Sequence, residues 1–285
     1  MAQPLLVCDL PLLMYRGFFA LPSKIRGADG RPVNALLGTA NAVLAAVEKI
    51  NPRAVVLCDG AEAGAYRVEA FPGYHAAREP MPEDLAHQFH LGPDLWKALG
   101  WQLGDAGDLE ADDLMATLAK LEESANGTCR ILTGDRDLLQ CATEKTRILL
   151  LKPGQGTVEC GPEEVKELTG VTPAQVPDLI ALRGDPSDGI PGAPGIGAKG
   201  AADLLDRHGS AEASIANAAG EKPRTAASLA DNADLIRTFL NVATVQPVKT
   251  GRPADSTTDL TGGAKAAELL GMNQLSARLT ALGSR

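Results

Sequence analysis

The sequence predicts an α/β protein in which a mostly parallel, twisted sheet with flanking helices is followed by a C-terminal helical region. Two observations lead to this fold class. Up to residue 161, short apolar runs alternate with amphipathic helical segments, which is the order found in parallel sheets. From residue 162 onward, amphipathic helices and Gly/Pro-rich turns continue without a convincing strand. We therefore divide the 285 residues into two domains, 1–161 and 162–285.

The predicted strands are short apolar segments, several of which end in an acid. They cover Leu5–Asp9, Ala54–Asp59, Arg130–Thr133 and Arg147–Leu151, with a hairpin strand at Thr157–Cys160 after the turn residues Pro153–Gly156. Apolar residues at helical spacing predict helices at Asn34–Ile50, Glu83–Leu99 and Asp112–Ser124. A strand, a helix and a second strand in this order imply a right-handed parallel crossover.

The second domain is predicted to be helical. Its amphipathic segments cover Pro162–Leu168, Pro173–Leu182, Lys199–His208, Asp231–Val242 and Ala264–Leu282. The segments Gly209–Ala230 and Val248–Gly263 show little periodicity, and we expect mobile loops there.

Composition excludes several classes of protein. Hydrophobic residues make up 45% and charged residues 22% of the chain, unlike disordered, collagen-like or coiled-coil proteins. No run approaches the ~20 apolar residues of a membrane-spanning helix, and the N-terminus lacks a secretory signal, so we expect a cytoplasmic protein. The five cysteines contain no CxxC pair, and we expect reduced, buried thiols. The net charge of -9 argues against binding nucleic acid through overall basic charge.

Acidic residues follow three of the predicted strands. Asp9 and Asp59 end the first two, and Asp135 and Asp137 come just after the third. Ligands of open α/β sheets bind at the carboxyl ends of the strands, so these acids are candidates for a site. Taken singly, each Asp has a simpler explanation as a helix cap or turn residue. Three such strand ends together favour a site.

Two further acidic clusters complete the set. A predicted helix begins with Glu110, Asp112 and Asp113. The helix dipole stabilises a negatively charged side chain at this end by about 0.3–1 kcal/mol, which by itself could explain acids there. Asp185 and Asp188 lie in DPSDG, which is also an ordinary turn sequence. The nine carboxylates are Asp9, Asp59, Glu110, Asp112, Asp113, Asp135, Asp137, Asp185 and Asp188.

Carboxylates gathered at one sheet edge repel one another unless cations neutralise them. Oxygen ligands without nearby His or Cys suit hard ions, so the pattern predicts Mg²⁺ or Mn²⁺. Two such ions ~3.5–4 Å apart are the usual machinery for attack of water on a phosphodiester. The acidic pattern therefore predicts phosphoryl chemistry, and bound ions would offset the net negative charge.

Two segments are candidates for nucleic-acid contacts. Gly195, Gly197 and Lys199 lie in a Gly-rich turn that resembles a helix-hairpin-helix (about 173–208), which can hold a phosphate through backbone N–H groups. Gly and Pro residues in this pattern also form ordinary turns that bind nothing. The segment Tyr66–Arg78 mixes basic and aromatic residues: Arg67 and Arg78 are candidates for phosphate contacts and Tyr74 for stacking on a base. A solvated loop with Tyr74 and Phe71 packed beneath it explains the same composition.

These motifs resemble the 5′-nuclease family, which includes flap endonucleases, phage 5′-exonucleases and the N-terminal nuclease domain of bacterial DNA polymerase I. The resemblance extends over nearly the whole chain. The matching segments are LLVCD with Tyr15-Arg16, VVLCD, YRVEAFPGYHAAR, LEADD, ILTGDRD, RGDPSDGIPGAPGIGAK and LLGMNQLSARL.

The resemblance implies a PIN-like nuclease core and a metal-dependent, structure-specific 5′-3′ exonuclease and flap endonuclease. Its substrates would be DNA or RNA–DNA with free 5′ ends, flaps or nicks, in primer removal and repair. It implies that Asp9, Asp59, Glu110 and Asp112 surround a first ion, that Asp135, Asp137 and Asp185 surround a second, and that Asp113 and Asp188 lie in an outer shell or at a third. We expect a free-standing monomer.

The resemblance also assigns contacts to DNA. By the family pattern, Arg16, Arg67 and Arg78 lie at substrate phosphates and Tyr74 at the displaced base, and the hairpin with Gly195, Gly197 and Lys199 follows duplex backbone, often with K⁺. The segment of about 66–92 would form an arch over a free 5′ end. His75, His87 and His90 in it predict tighter DNA binding at mildly acidic pH.

The chain departs from the family pattern at a few positions. His75 stands where relatives carry a lysine close to the scissile phosphate, and Gly189 replaces the Asn of the SDN sequence. We expect the missing lysine to moderate turnover, and His75→Lys to raise single-turnover cleavage. A PIN-like ribonuclease and a non-catalytic DNA-binding module remain alternatives. PIN-like ribonucleases lack a GIGAK hairpin, and a non-catalytic module would be expected to lack one of the core carboxylates.

Overall fold

A computed structural model describes residues 3–152 and 156–284. Most of the predicted turn, Pro153–Gln155, lies outside the described residues. Six strands form one sheet: β1 (Leu5–Asp9), β2 (Ala54–Asp59), β3 (Gln102–Asp105), β4 (Cys129–Thr133), β5 (Thr146–Lys152) and β6 (Gly156–Cys160). Their order is β3-β2-β1-β4-β5-β6, with β1 to β5 parallel and β6 antiparallel to β5. The predicted fold class and the β5–β6 hairpin are confirmed.

Helices of the first part cover the two faces of this sheet. They are α1 (Leu10–Ala20), α2 (Asn34–Ile50), α3 (Ala65–Ala70), α4 (Glu83–Ala98) and α5 (Ala111–Ser124). The predicted bounds of α2, α4 and α5 agree to within one residue. Sequence periodicity missed α1, α3 and β3. The last of these is an edge strand, QLGD, with a single large apolar residue that is 47% exposed, so it lacks an apolar run.

The second part contains eight helices among the described residues. They are α6 (Pro162–Thr169), α7 (Val176–Arg183), α8 (Ala198–His208), α9 (Ala211–Ala216), α10 (Pro223–Asp231), α11 (Ala233–Ala243), α12 (Leu260–Leu269) and α13 (Asn273–Gly283). No helix in the described ranges is long and apolar enough to cross a membrane.

Two predictions for this part were wrong, and a third was right only in part. The expected loop at 209–230 contains α9 and α10, which pack through Leu229 and a hydrogen bond from Ala211 N to Asp178 Oδ1 at 2.8 Å. The single helix predicted at Ala264–Leu282 is two helices, because Gly271 adopts φ +75° and ends the first. The expected mobile loop at 248–263 is irregular only up to Asp259, and hydrogen bonds fix it against the sheet domain.

This irregular segment, 245–259, is a strap that runs along α5. Backbone N–H groups of Gln246 and Val248 donate to Asp113 and Thr117 on α5. Farther along, Arg252 contacts Glu122 near the end of α5. The strap joins two cores on opposite sheet faces: α6 to α11 belong to the core on one face, whereas α12 and α13 pack with α1, α2 and α4 on the other.

Candidate metal centre and nucleic-acid interface

The predicted acids come together at the carboxyl edge of the sheet. Strand β1 lies between β2 and β4, so Asp9 at its end is flanked by Asp59 and by the residues that follow Thr133. Helix α5 begins at the same edge with Glu110 as its N-cap. An open cavity of ≈ 770 Å³ is bordered there by five of the acids: Asp9, Asp59, Glu110, Asp112 and Asp135.

A second, much smaller cavity lies beside the first. Its volume is ≈ 30 Å³, about the space of one water molecule or ion. The acids at its walls are Glu110, Asp112, Asp135, Asp137 and Asp188. Oδ1 of Asp137 is buried there without a hydrogen-bond partner among the described residues. A buried carboxylate oxygen that lacks a donor is suited to a cation.

Burial and mutual repulsion dominate the electrostatics of this edge. Burial raises the pKa of Asp9 from 3.8 to about 6, opposed by hydrogen bonds from Leu12 N and the Thr133 hydroxyl and assisted by the charges of Asp135 and Asp59. Burial and neighbouring carboxylates also raise the pKa of Asp112, Asp135 and Asp137. Ionised together, these groups need a positive charge between them.

The donor set fits a hydrated divalent ion better than a closed protein cage. Within residues 3–152 and 156–284, no three His, Cys, Asp or Glu side chains form a ready chelating group. Mg²⁺ typically keeps several waters and binds through one or two carboxylates. The carboxylate oxygens around the small cavity can bind such an ion directly, and the open cavity beside it leaves room for the ion's water ligands.

The DPSDG turn contributes Asp188 to the small cavity, whereas Asp185 borders neither cavity. Asp185 Oδ1 accepts from Ser187 N at 2.9 Å, and its backbone pairs with Ile190. Its charge still reaches the site, since it helps to raise the pKa of Asp135 and Asp137. The pKa of Asp188 is lowered, because hydrogen bonds from His75 and Asp137 and the Arg78 charge outweigh burial.

Arg67 is a buried residue at the wall of the small cavity and is not exposed at the surface for a phosphate contact, contrary to the interpretation of its sequence context. Its side chain is 4% exposed, and its Nη1 and Nη2 each lie 2.8 Å from an oxygen of Asp113. Nη1 also lies 3.0 Å from Glu110, and Nε donates to the Val242 carbonyl. Asp113 in turn is fully buried and borders neither cavity. The pair forms the floor beneath Glu110.

Tyr74 is likewise an internal residue. It is 7% exposed, and its hydroxyl donates to Glu110 Oε2 at 3.0 Å. The His75 ring stacks on it with centroids 3.8 Å apart and an angle of 22°. Tyr74 is therefore packed beneath the loop, as the second interpretation of this segment predicted. Its ring is not exposed for stacking on a nucleobase.

Two predicted basic residues lie near the open cavity. Arg78 is 45% exposed, borders both cavities and lies 4.0 Å from Asp188. Arg16 is half-buried on α1, next to Tyr15 at the wall of the large cavity. Arg78 is thus a cation placed beside the carboxylates and open to a phosphate.

The predicted hairpin joins α7 and α8 through a Gly-rich turn. Gly195 has φ +78°, and Gly197 is the N-cap residue of α8. The Lys199 side chain is 88% exposed and forms an ion pair with Asp203, one turn along the helix, at 2.9 Å. The turn therefore presents backbone N–H groups and one exposed ammonium group on its surface.

Sequence reasoning missed two residues that shape the site. Thr133 Oγ1 donates to Asp9 at 2.8 Å and accepts from Asp135 N at 3.0 Å, which orients both acids. Phe19 is 71% exposed at the wall of the large cavity. Thr133 had a usable signal, since it is the last strand residue before Gly134-Asp135; Phe19 lies in α1, which periodicity did not predict.

Comparison with known proteins agrees with this geometry. Residues 4–170 match the family described as 5′-3′ exonuclease, N-terminal resolvase-like domain, and residues 171–257 match 5′-3′ exonuclease, C-terminal SAM fold. The chain belongs to the 5′-3′ exonuclease family. The resemblance inferred from the sequence is therefore confirmed, as is the prediction that the protein is a nuclease.

Relatives of this 5′-3′ exonuclease family member include free-standing and polymerase-linked proteins. A 5′-3′ exonuclease of Mycobacterium tuberculosis is 34% identical over 283 residues, which cover 90% of this chain and 88% of that protein. The thermostable DNA polymerase I of Thermus thermophilus is 40% identical over 218 residues, which cover 76% of this chain. The match spans only 26% of that polymerase.

Solved structures share the fold at low sequence identity. The flap endonuclease of bacteriophage T5, in a complex with DNA and metal ions, has a TM-score of 0.70 and 17% identity, and the match covers 99% of this chain and 100% of that one. The catalytic core of Rad2 with DNA substrate has a TM-score of 0.63 and 14% identity, covering 98% of this chain and 91% of that one.

Proposed function

We propose that this 5′-3′ exonuclease family member is a structure-specific phosphodiesterase that requires divalent metal and cleaves DNA near free 5′ ends, as an exonuclease and as a flap endonuclease. One observation carries the proposal. A carboxylate-walled cavity of ≈ 30 Å³ lies beside an open cavity of ≈ 770 Å³ at the carboxyl edge of the sheet. The small space suits an ion and the large one suits a phosphodiester strand.

The carboxylates would hold two or three Mg²⁺ or Mn²⁺ ions. Asp9, Asp59, Glu110 and Asp112 would surround one, and Asp135, Asp137 and Asp188 the other. Asp185 would add its negative charge from outside the cavities, and Asp113 would lie behind the ligands in the outer shell. Bound there, the ions would activate water and stabilise charge on the phosphate and leaving oxygens. Thr133 keeps Asp9 and Asp135 oriented, which reduces the reorganisation that ion binding demands.

The chain's own residues would bind and orient the substrate. Arg78 is the exposed guanidinium beside the carboxylates and can hold a phosphate in a bidentate contact. The Gly195–Lys199 hairpin would hold duplex phosphates, with K⁺ as a candidate ligand of its turn. RNA–DNA substrates, action as a cytoplasmic monomer and roles in primer removal and repair are part of the same proposal, supported by the polymerase-linked relatives.

The test compares a 5′-labelled flap duplex, a matched single strand of DNA and the same strand in RNA, each with Mg²⁺, Mn²⁺ or EDTA. We expect metal-dependent cutting near the flap junction by the wild type. Asp135→Asn should lose at least two orders of magnitude in rate, whereas Asp231→Asn, an exposed acid at the end of α10, should cut normally. Flap binding without cutting would support a non-catalytic module, and a preference for single-stranded RNA would support a ribonuclease.

A further inference from the structure

His75 combines an unusual backbone conformation with a buried side chain. Its φ is +53°, in the left-handed region that only a few per cent of non-glycine residues adopt, with Asn, Asp and His the most frequent among them. The side chain is 4% exposed, although Arg78 three residues on is 45% exposed. Such a conformation persists only when the surroundings hold it, so the contacts of His75 indicate its role.

Both ring nitrogens of His75 face hydrogen-bond acceptors. Nε2 lies 3.0 Å from Asp188 Oδ1, and Nδ1 lies 3.2 Å from the carbonyl oxygen of Glu62. A carbonyl oxygen and a carboxylate oxygen are both acceptors, so the ring lies between two acceptors of the protein. The backbone N–H of His75 also donates to the Asp188 carbonyl at 3.1 Å. His75 is thus joined to Asp188 through main chain and side chain.

The ring also connects Asp188 to a second acid at the wall of the small cavity. His75 stacks on Tyr74, whose hydroxyl donates to Glu110 Oε2 at 3.0 Å. Glu110 opens α5 in the sheet domain, whereas Asp188 lies in the turn before α8, and both border the ≈ 30 Å³ cavity. Tyr74 and His75 therefore form a bridge between two acids that are remote in sequence.

We propose that His75 is a positioning residue that holds Asp188, and through Tyr74 also Glu110, at the walls of the small cavity, and thereby sets the affinity of that cavity for a divalent ion. This inference rests on the proposed function. Both nitrogens of the ring are directed at protein acceptors and one face is covered by Tyr74, so the ring is not free to contact a substrate phosphate. Arg78 is the exposed cation at the same place.

The experiment separates metal binding from DNA binding. Mn²⁺ affinity is measured by calorimetry on the DNA-free protein, and the Kd for a flap duplex is measured in Ca²⁺. His75→Ala should weaken Mn²⁺ binding about tenfold, as loss of groups that orient ligands typically does, with the Kd for DNA unchanged. His75→Gln, whose amide can donate to Asp188, should restore part of the Mn²⁺ affinity. Lys265→Ala, at an exposed lysine on α12, should change neither affinity.

Three results would overturn the inference. His75→Ala could weaken DNA binding while Mn²⁺ affinity is kept, which would place the ring at the substrate. It could leave both affinities unchanged. It could lower both without any restoration of Mn²⁺ binding by Gln. Failure of the wild type to cut the flap in Mg²⁺ would instead contradict the proposed function, and the Mn²⁺ comparison would still stand on its own.

Discussion

Arg67 and Asp113 form a buried ion pair in which each Nη atom of the guanidinium lies 2.8 Å from one carboxylate oxygen. The same Arg67 lies 3.0 Å from Glu110, and Asp113 also accepts from the backbone N–H of Gln246 in the strap. One buried pair therefore connects α3, the first turn of α5 and the strap. It supports the candidate site from beneath, with Arg67 at the wall of the small cavity and Asp113 outside both cavities.

Removing one member of this pair should destabilise the fold strongly. Arg67→Met leaves Asp113 buried without its partner, and loss of one partner of a buried pair typically costs about 3–5 kcal/mol. Urea unfolding of Arg67→Met, Asp113→Asn and the double variant measures this in a double-mutant cycle. We expect the double variant to be more stable than the sum of the single changes implies. A loss below about 1 kcal/mol with a weaker Kd for DNA would instead make Arg67 a substrate contact.

The Arg67–Asp113 pair shows which features of the site could not be predicted from the sequence. Parallel strands that end in acids could be predicted, because apolar runs and acids are local features and the parallel order brings their ends to one edge. A basic residue in a loop has the same local pattern whether it faces DNA or a buried carboxylate. Asp113 lies 46 residues from Arg67, and the Val242 carbonyl lies 175 away. Contacts between residues so far apart in the sequence form only in the folded chain, so the local sequence around Arg67 does not indicate them.

Tyr74 and the strap illustrate the same limit. The hydroxyl of Tyr74 donates to Glu110, which lies 36 residues away in the sequence. The sequence around Tyr74 therefore fitted a ring stacked on a base and a ring packed beneath a loop equally well. The strap has no periodicity, because its backbone is held by side chains and carbonyls of the sheet domain, such as Thr117 and Arg53. Irregular segments fixed in this way look like loops in the sequence.

Neutralising Asp9 should stabilise the metal-free protein at pH 8. The folded-state pKa of Asp9 is about 6 against an ordinary 3.8, so its favourable contribution is complete below pH 3.8 and is lost as the pH rises through 6. Asp9→Asn keeps an oxygen acceptor for Leu12 N and removes the charge. In EDTA at pH 8 we expect a gain of about 2 kcal/mol, smaller at pH 5.

Mg²⁺ should stabilise Asp9→Asn less than it stabilises the wild type. Saturating Mg²⁺ should raise the Tm of the wild type through binding to the folded state, and this rise should be small in Asp9→Asn. Thermal unfolding with and without Mg²⁺ gives both quantities, with Asp231→Asn as the control. A variant that is less stable than the wild type in EDTA would show that Asp9 is not under repulsion.

Glu122 should make stability depend on pH at a place remote from the site. It is 1% exposed in the structure and accepts from Arg53 Nε at 3.1 Å and Arg252 Nε at 2.9 Å. Burial raises its pKa, but the two arginines outweigh burial and the pKa is lowered from 4.5. Its stabilising contribution is therefore present above pH 4.5 and is lost as the pH falls through the lower folded-state value.

Glu122→Gln tests this directly. At pH 7 we expect a loss of about 2–4 kcal/mol, because Arg53 is left buried with a weaker acceptor. The difference from the wild type should shrink steadily below pH 4.5, as measured by urea unfolding at each pH. Cleavage at pH 7 and 25 °C should be retained. A difference that stays constant with pH would show that Glu122 acts through packing alone.

Lys199 should act on duplex binding and not on stability. Its side chain is 88% exposed, and an exposed pair such as that with Asp203 contributes at most about 1 kcal/mol. Lys199→Ala should weaken the Kd for a nicked duplex in Ca²⁺ and reduce the slope of log K against log salt by about 1. Lys265→Ala, an exposed lysine on α12, is the matched control. An unchanged slope would exclude a phosphate contact.

Gly189 allows the segment around His75 to approach the Asp188 turn. It has φ +75°, and a Cβ at this position would lie 2.6 Å from the carbonyl oxygen of Gly73. Gly189→Ala therefore combines the cost of a left-handed backbone with a clash that pushes His75 away from Asp188. Gly209→Ala is a control for the backbone alone, since Gly209 has φ +88° and a Cβ added there would meet no atom within 4 Å.

The two alanine variants should differ in a defined way. Gly209→Ala should cost about 1 kcal/mol of stability and leave Mn²⁺ affinity unchanged. Gly189→Ala should cost more than this and also weaken Mn²⁺ binding to the DNA-free protein, because the bridge from Glu110 to Asp188 is broken at the same contact. Equal losses of stability in the two variants, with equal Mn²⁺ affinity, would show that the segment around His75 yields to the added methyl group. Positioning of Asp188 would then not depend on this close approach.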